Sequence, residues 1–116
     1  MKFLTQLIVS ALAVIVTSYL LPGVHLADIP TAIIVAAVLA FMNSIVKPIL
    51  VFLTIPITLV TFGIFLLVIN AVIILLTAKL VHGFYVDGFW AALLFSLVLS
   101  LINSVFERLA SKKEDS

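Results

Sequence analysis

Four long apolar runs, separated by short clusters of turn-forming residues, organise this chain. They cover Phe3–Leu21, Pro30–Leu53, Thr58–Leu80 and Gly88–Leu109. A helix needs roughly 20 apolar residues to cross a bilayer, so each run is long enough to be a span. The breaks carry turn chemistry. LPGVHLADIP holds two prolines, a glycine and an aspartate; TIPIT holds Pro56; VHGFYVDGF holds two glycines and an aspartate. The pattern predicts an all-α membrane protein with four transmembrane helices. The first run is longer than the apolar part of a signal peptide, and no small-x-small cleavage site follows it. It therefore reads as a retained helix.

Composition supports this reading. The chain is 66% hydrophobic and 9% charged, with a mean hydropathy of +1.48. A soluble domain is about half apolar and about a quarter charged. The 116 residues make a single integral membrane domain that ends in the charged tail SKKEDS, residues 111–116. A solvated terminus is the simplest reading of that tail. There is no cysteine, which excludes disulfides, thiolate metal sites and cysteine nucleophiles. A net charge of +1 offers no basis for binding nucleic acid. With the N-terminus in the cytoplasm, Lys2, Lys47, Arg108, Lys112 and Lys113 all fall on the cytoplasmic side and only Lys79 falls outside. The positive-inside rule thus predicts a multi-pass membrane protein with both termini cytoplasmic.

Shifted by sixty positions, the sequence matches itself. Ala11, Thr17, Leu20 and Gly23 fall on Ala71, Thr77, Leu80 and Gly83; Ala32, Val38, Leu39, Asn43 and Ser44 fall on Ala92, Val98, Leu99, Asn103 and Ser104. The expected architecture is two tandem helical hairpins, with repeat units near 10–50 and 70–110. Such a parallel repeat is related by a pseudo-twofold axis along the membrane normal. In the second span Ala32, Ala36, Ala40 and Ser44 recur every fourth residue; in the fourth span so do Ala92, Ser96, Ser100 and Ser104. Residues at this spacing share a helix face. Small side chains there let helices approach closely in lipid, so the strips are expected to pack on each other or on the odd-numbered spans.

Polar groups at depth are few. Asn43, Asn70 and Asn103 are expected to hydrogen-bond between helices or to line a polar path. Thr17 and Thr77 can bond to a carbonyl one turn back. Lys47 and Glu107 are repeat partners of opposite charge, which suggests either an ion pair or two side chains snorkelling separately. Pro48 is expected to bend or end the second span, and Pro56 is a second expected helix break. Pro56 and Gly63 bracket TIPITLVTFG, an apolar yet broken stretch that reads as a tight turn or as lying partly along the interface. His25 and His82 stand alone in the outer loops, with too few ligands nearby for a metal. Phe84, Tyr85, Phe89 and Trp90 suit the membrane interface. No nucleophile–base pair, phosphate loop or metal-ligand spacing occurs, so the chain reads as a non-enzyme without a cofactor.

The segment NSIVKPILVFLTIPITLVTFGIFLLVINAVIILL carries a recognisable series: Asn43, Lys47, Pro48, Pro56, Gly63 and Asn70. A Gly-Phe-x-Val-x-Gly-Phe turn follows before the fourth run. Over nearly the whole chain this resembles the four-helix phage-holin-like family, holin superfamily IV of the mycobacterial four-TMS type. The resemblance implies a small helical protein that accumulates in the cytoplasmic membrane, self-associates as a homo-oligomer and opens lesions. It supplies no catalytic residues, and the expected partners are the lipid bilayer and further copies of the chain. Two other readings stand beside it. One is a structural or envelope-stress membrane protein acting through a protein partner that the sequence does not specify. The other is a small transporter or channel subunit using the amides as a polar path.

Overall fold

Long runs of Leu, Ile and Val with few internal breakers become helices, and the turn clusters become their boundaries. The computed structural model describes residues 2–115. Helix α1 spans Lys2–Leu20 and strand β1 spans Val24–Leu26. Helix α2 covers Ile29–Phe41, then passes through a π-helical turn, Met42–Val46, into α3, Lys47–Leu53. A short helix α4, Ile55–Val60, precedes α5, Phe65–Leu80. Strand β2, Phe84–Val86, leads into α6, Phe89–Asp115.

Three helices are long and apolar enough to cross a membrane: Lys2–Leu20, Ile29–Leu53 and Phe89–Leu109. The third expected span starts later than the apolar run suggested. Its helix begins at Phe65 because Phe62 (φ 54°) and Gly63 (φ 87°) adopt left-handed backbone and reverse the chain. At 16 residues, α5 is about 24 Å long at 1.5 Å per residue. Hydropathy alone could not reveal this, because Ile55–Ile64 is as apolar as the helix it precedes.

Local chemistry sets the other boundaries. Asp28 caps α2: its backbone is extended and its carboxylate accepts from the Thr31 N–H at 2.9 Å and from the Thr31 hydroxyl. Pro30 lies in the first turn, where its missing N–H is not needed. After α1 the chain turns through Gly23 (φ 82°), and after α5 through Gly83 (φ 92°).

Helix α1 packs on α2 and α6, and α5 packs on α6, α2 and α3. Thus α1 and α5 occupy one pair of opposite corners and α2 and α6 the other. At one end β1 and β2 pair antiparallel, with Val24 opposite Val86, His25 opposite Tyr85 and Leu26 opposite Phe84. Two flanking bonds close this ribbon: the Ala27 N–H donates to the Gly83 carbonyl and the Asp87 N–H to the Gly23 carbonyl, both at 2.8 Å.

The tightest packing lies beneath the ribbon. Phe84 and Phe95 are fully buried with ring centroids 5.4 Å apart, and Val14, Val35 and Ile73 surround the same core. Thr17 and Thr77 are also fully buried. Their hydroxyls donate to the carbonyls of Ala13 and Ile73, at 2.6 and 2.8 Å, so each satisfies itself within its own helix. Toward the opposite end, the first turns of α1, all of α3 and residues 97–109 of α6 are exposed or half-buried.

Two predictions test the ribbon end. A Cβ at Gly83 would lie 3.0 Å from the Ala27 Cβ and 3.3 Å from Thr31, whereas one at Gly63 meets nothing within 4 Å. Both sites have left-handed backbone, so both alanine variants carry a strain of about 1–3 kcal/mol. Unfolding in detergent should show Gly83→Ala less stable than Gly63→Ala, the difference being the clash. The second concerns Asp28, whose pKa is lowered by its hydrogen bonds from the Thr31 hydroxyl and N–H. A lowered folded pKa means that this stabilisation is complete above the ordinary Asp value of about 3.9. It is lost as pH falls through the lower folded value. Asp28→Asn should flatten that acid limb of the stability–pH curve.

Candidate functional site

Pro48 has no N–H to offer the Ser44 carbonyl, and in a regular helix its ring would press against that carbonyl. The chain responds by widening one turn earlier. Over Met42–Val46 it runs as π-helix, and the Lys47 N–H donates to the Met42 carbonyl. Single π-turns of this kind are frequent at functional sites. The helix then continues to Leu53 and ends at Thr54, whose N–H donates to the Leu50 carbonyl at 3.1 Å and whose hydroxyl reaches it at 2.8 Å. Of the two outcomes expected at Pro48, a bend or an end, the helix does not end there: the π-turn absorbs the proline and the break falls at Thr54. Pro56 lies in the first turn of α4 and opens that helix rather than breaking one.

This rearrangement frees an acceptor. The N–H groups placed to meet the Asn43 carbonyl are those of residues 47 and 48. Lys47 has given its N–H to Met42, and proline has none. Asn43 and Ser44 face a cavity of about 280 Å³ enclosed by α1, α2 and α6. Its polar lining comes from Gln6, Ser10, Asn43, Ser44 and Asn103, and its apolar lining includes Phe3, Leu7, Leu39 and Leu99. The Asn103 Oδ1 atom is buried without a hydrogen-bond partner. At the same end, Gln6 Nε2 donates to Glu107 Oε1 at 3.4 Å. The arrangement offers hydroxyl and amide donors and unpaired oxygen acceptors, with no charged residue in the lining.

Two of the three expected intramembrane amides, Asn43 and Asn103, converge on this cavity. Asn70 lies half-buried on α5, outside the lining. Gln6 and Ser10 were missed by the sequence reading. Their signal was present: they are four residues apart on one face of α1, and Gln6 is the only glutamine in the chain. The Lys47–Glu107 pair is not formed. Among the described residues Glu107 is instead held by Gln6, while Lys47 lines a separate groove with Pro48, Val51 and Phe52. The cause is the helix arrangement. With α2 and α6 at opposite corners, equivalent residues off the bundle axis point away from each other.

The small-residue strips divide in the middle. Ala32, Ala36, Ala92 and Ser96 are buried, with the Ser96 hydroxyl donating to the Leu93 carbonyl at 2.9 Å. Ala40, Ser44, Ser100 and Ser104 are exposed. Helices α2 and α6 both pack on α1 and α5. His25 and His82 are exposed at the ribbon end, as are Tyr85 and Trp90. Among the described residues no group of three His, Cys, Asp or Glu side chains comes together to hold a metal.

Comparison with known proteins matches this sequence to relatives along nearly its full length. The chain is 35% identical over 108 residues to the uncharacterized membrane protein YvlD of Bacillus subtilis, covering 92% of this chain and 91% of that protein. It is 40% identical over 112 residues to an uncharacterized protein of Streptomyces coelicolor, covering 88% of this chain and 90% of that one. No solved structure matches. The family described as mycobacterial 4 TMS phage holin, superfamily IV, matches residues 1–105. With its apolar helices and these relatives, the chain is a small integral membrane protein of bacterial type, and it belongs to the superfamily IV phage holin family.

Proposed function

We propose that this protein is a holin-like, non-enzymatic component of the bacterial inner membrane that self-associates and in that state permeabilises the bilayer. Membership of the holin family over residues 1–105 is the observation that carries this reading. The exposed small residues Ser100 and Ser104 support self-association, because a second helix can approach closely there. In the proposed topology all four long apolar segments cross the membrane and both termini lie in the cytoplasm. Lys2, Lys47 and Arg108 then share the cytoplasmic side.

The scaffold is proposed to be a tandem repeat of two hairpins, α1–α2 and α5–α6. Supporting this are pairs of matching features sixty positions apart. The ribbon register is symmetric about His25 and Tyr85; the bonds Ala27 to Gly83 and Asp87 to Gly23 are equal in length; and Thr17 and Thr77 bond back identically.

Induced expression in a bacterial host, read with a potential-sensitive dye, tests the function. The expected outcome is loss of membrane potential above a threshold level, with Ser100→Leu and Ser104→Leu shifting crosslinked protein from oligomer to monomer. An unchanged potential at high expression would remove lesion formation from the proposal.

A second reading, a small transporter or channel subunit, is favoured by one observation: Asn43 and Asn103 share a polar cavity in which the Asn103 Oδ1 atom is unpartnered. It predicts solute flux in proteoliposomes that Asn103→Leu abolishes and Asn70→Leu spares. Equal flux in both variants would count against that cavity as the path.

A further inference from the structure

The connection between α3 and α5 is apolar to an unusual degree. No charged residue occurs between Lys47 and Lys79. Within Thr54–Ile64 the only polar side chains are three threonines. The Thr54 hydroxyl donates to the Leu50 carbonyl at 2.8 Å, the Thr61 hydroxyl to the Ile57 carbonyl at 3.0 Å, and the Thr58 hydroxyl lies 3.5 Å from that of Thr54. The backbone of the reversal that follows α4 is also self-contained. Through the reversal, every N–H from Thr61 to Leu67 donates inside the segment. Thr61 bonds Ile57, Phe62 bonds Leu59, Gly63 bonds Thr58, and Ile64 bonds Thr61. The Phe65 N–H takes the Thr61 hydroxyl at 3.2 Å; Leu66 and Leu67 bond Gly63 and Ile64. A loop in water leaves such groups to solvent, whereas backbone in hydrocarbon must satisfy them internally.

We propose that Thr54–Ile64 is a lipid-embedded wedge: it lies in the headgroup and acyl-chain boundary of the leaflet at the N-terminal end of the bundle and is covered by lipid, not by water or protein. Three further observations select this occupant. Ile55, Ile57, Leu59, Val60, Phe62 and Ile64 are all exposed, from 44% at Ile55 to 94% at Phe62, so the apolar surface runs around the segment rather than along one face. A fluid covers such a surface, whereas a protein partner covers one side and needs polar groups to fix its orientation. Phe62 also holds left-handed backbone, which glycine or asparagine adopts at lower cost. An aromatic ring there brings a gain only where it leaves water. Finally, α5 has 16 residues, about 24 Å against a hydrocarbon core of about 30 Å. An embedded turn makes up the missing depth. Lys47 does not oppose this placement. It lies about 9 Å along the helix from Leu53, and its stem can carry the ammonium to the headgroups.

The wedge needs only that the chain is a membrane protein, so it stands or falls independently of lesion formation. The absence of cysteine makes the chain a ready background for single-site nitroxide labels. Labels at Leu59→Cys, Val60→Cys and Phe62→Cys in proteoliposomes, checked for folding by gel filtration, would be compared with two reference sites. Tyr85→Cys on the exposed ribbon reports water, and Leu101→Cys, 69% exposed on α6, reports lipid. The expected result is collision with oxygen but loss of collision with a water-soluble nickel chelate, as at Leu101. Nickel accessibility equal to that of Tyr85 would place the segment in water and overturn the proposal. Protection from both reagents would mean that a protein surface or a second copy covers it, and would overturn it equally. Three neighbouring sites keep the test decisive if one variant fails to fold.

Discussion

A backbone N–H or carbonyl in hydrocarbon has no water to turn to, and each one left unpaired costs several kcal/mol. This chain meets that constraint in three ways. At the ribbon end it pairs two short strands and closes them with the Ala27–Gly83 and Asp87–Gly23 bonds. Inside the helices, Thr17 and Thr77 donate their hydroxyls to the Ala13 and Ile73 carbonyls one turn back, so they can be fully buried without interhelical partners. At the α4–α5 reversal a chain of short-range bonds keeps the backbone dry. The Asn43 carbonyl stands outside this scheme, left free by Pro48 and the π-turn. Its position beside the polar cavity is why that cavity, rather than the well-packed ribbon end, is the candidate site.

The two ends of the bundle are built on different principles. Beneath the ribbon, Phe84, Phe95 and the alanines of the small strips allow close packing. At the other end the strips continue as Ala40, Ser44, Ser100 and Ser104, yet these are exposed. Among the described residues no paired strands tie the helices together at this end, and the cross-helix side-chain bond found there is the long Gln6–Glu107 contact. Helices joined firmly at one end and loosely at the other leave space between them, and polar side chains occupy it.

Much of this was legible in the sequence because the bilayer reduces fold to length, hydropathy and turn chemistry. Gly23, Asp28 and Gly88 are readable in the sequence as turn and cap residues, and each lies at or near a helix boundary by conformation or capping. The third start was not legible: Thr58–Ile64 has the hydropathy of a span, and only the backbone reversal at Phe62 and Gly63 excludes it from the helix. Which of its two expected effects Pro48 has was not legible for a related reason. A proline removes one bond, but whether the helix ends or widens depends on the preceding turn and its neighbours, which a pattern does not contain. The ion pair failed on arrangement. Equivalence under a repeat places Lys47 and Glu107 at the same level, but says nothing of whether they lie on the same side.

The departures from the repeat locate the specialised part of the molecule. Under the proposed tandem hairpins, positions near the ribbon are alike in role: Gly23 and Gly83 turn the chain, Val24 and Phe84 are buried, and Ala32 and Ala92 pack without exposure. At the other end Asn43 and Ser44 still match Asn103 and Ser104, but several equivalents differ in kind. Pro48 corresponds to Arg108, Lys47 to Glu107, and Ser10 to Asn70. One hairpin carries the π-turn and runs into the apolar connection, while α6 passes the same level as a regular helix. A twofold scaffold would, if nothing else acted, present two equal faces to the membrane. Here the cavity draws on α1, α2 and α6 but not α5, and the apolar connection belongs to the first hairpin's exit. The asymmetry therefore arises at the level of Asn43–Pro48. One proline, placed where its partner is an arginine, both leaves the Asn43 carbonyl without the helix N–H groups placed to meet it and accompanies the π-turn that leads into α3.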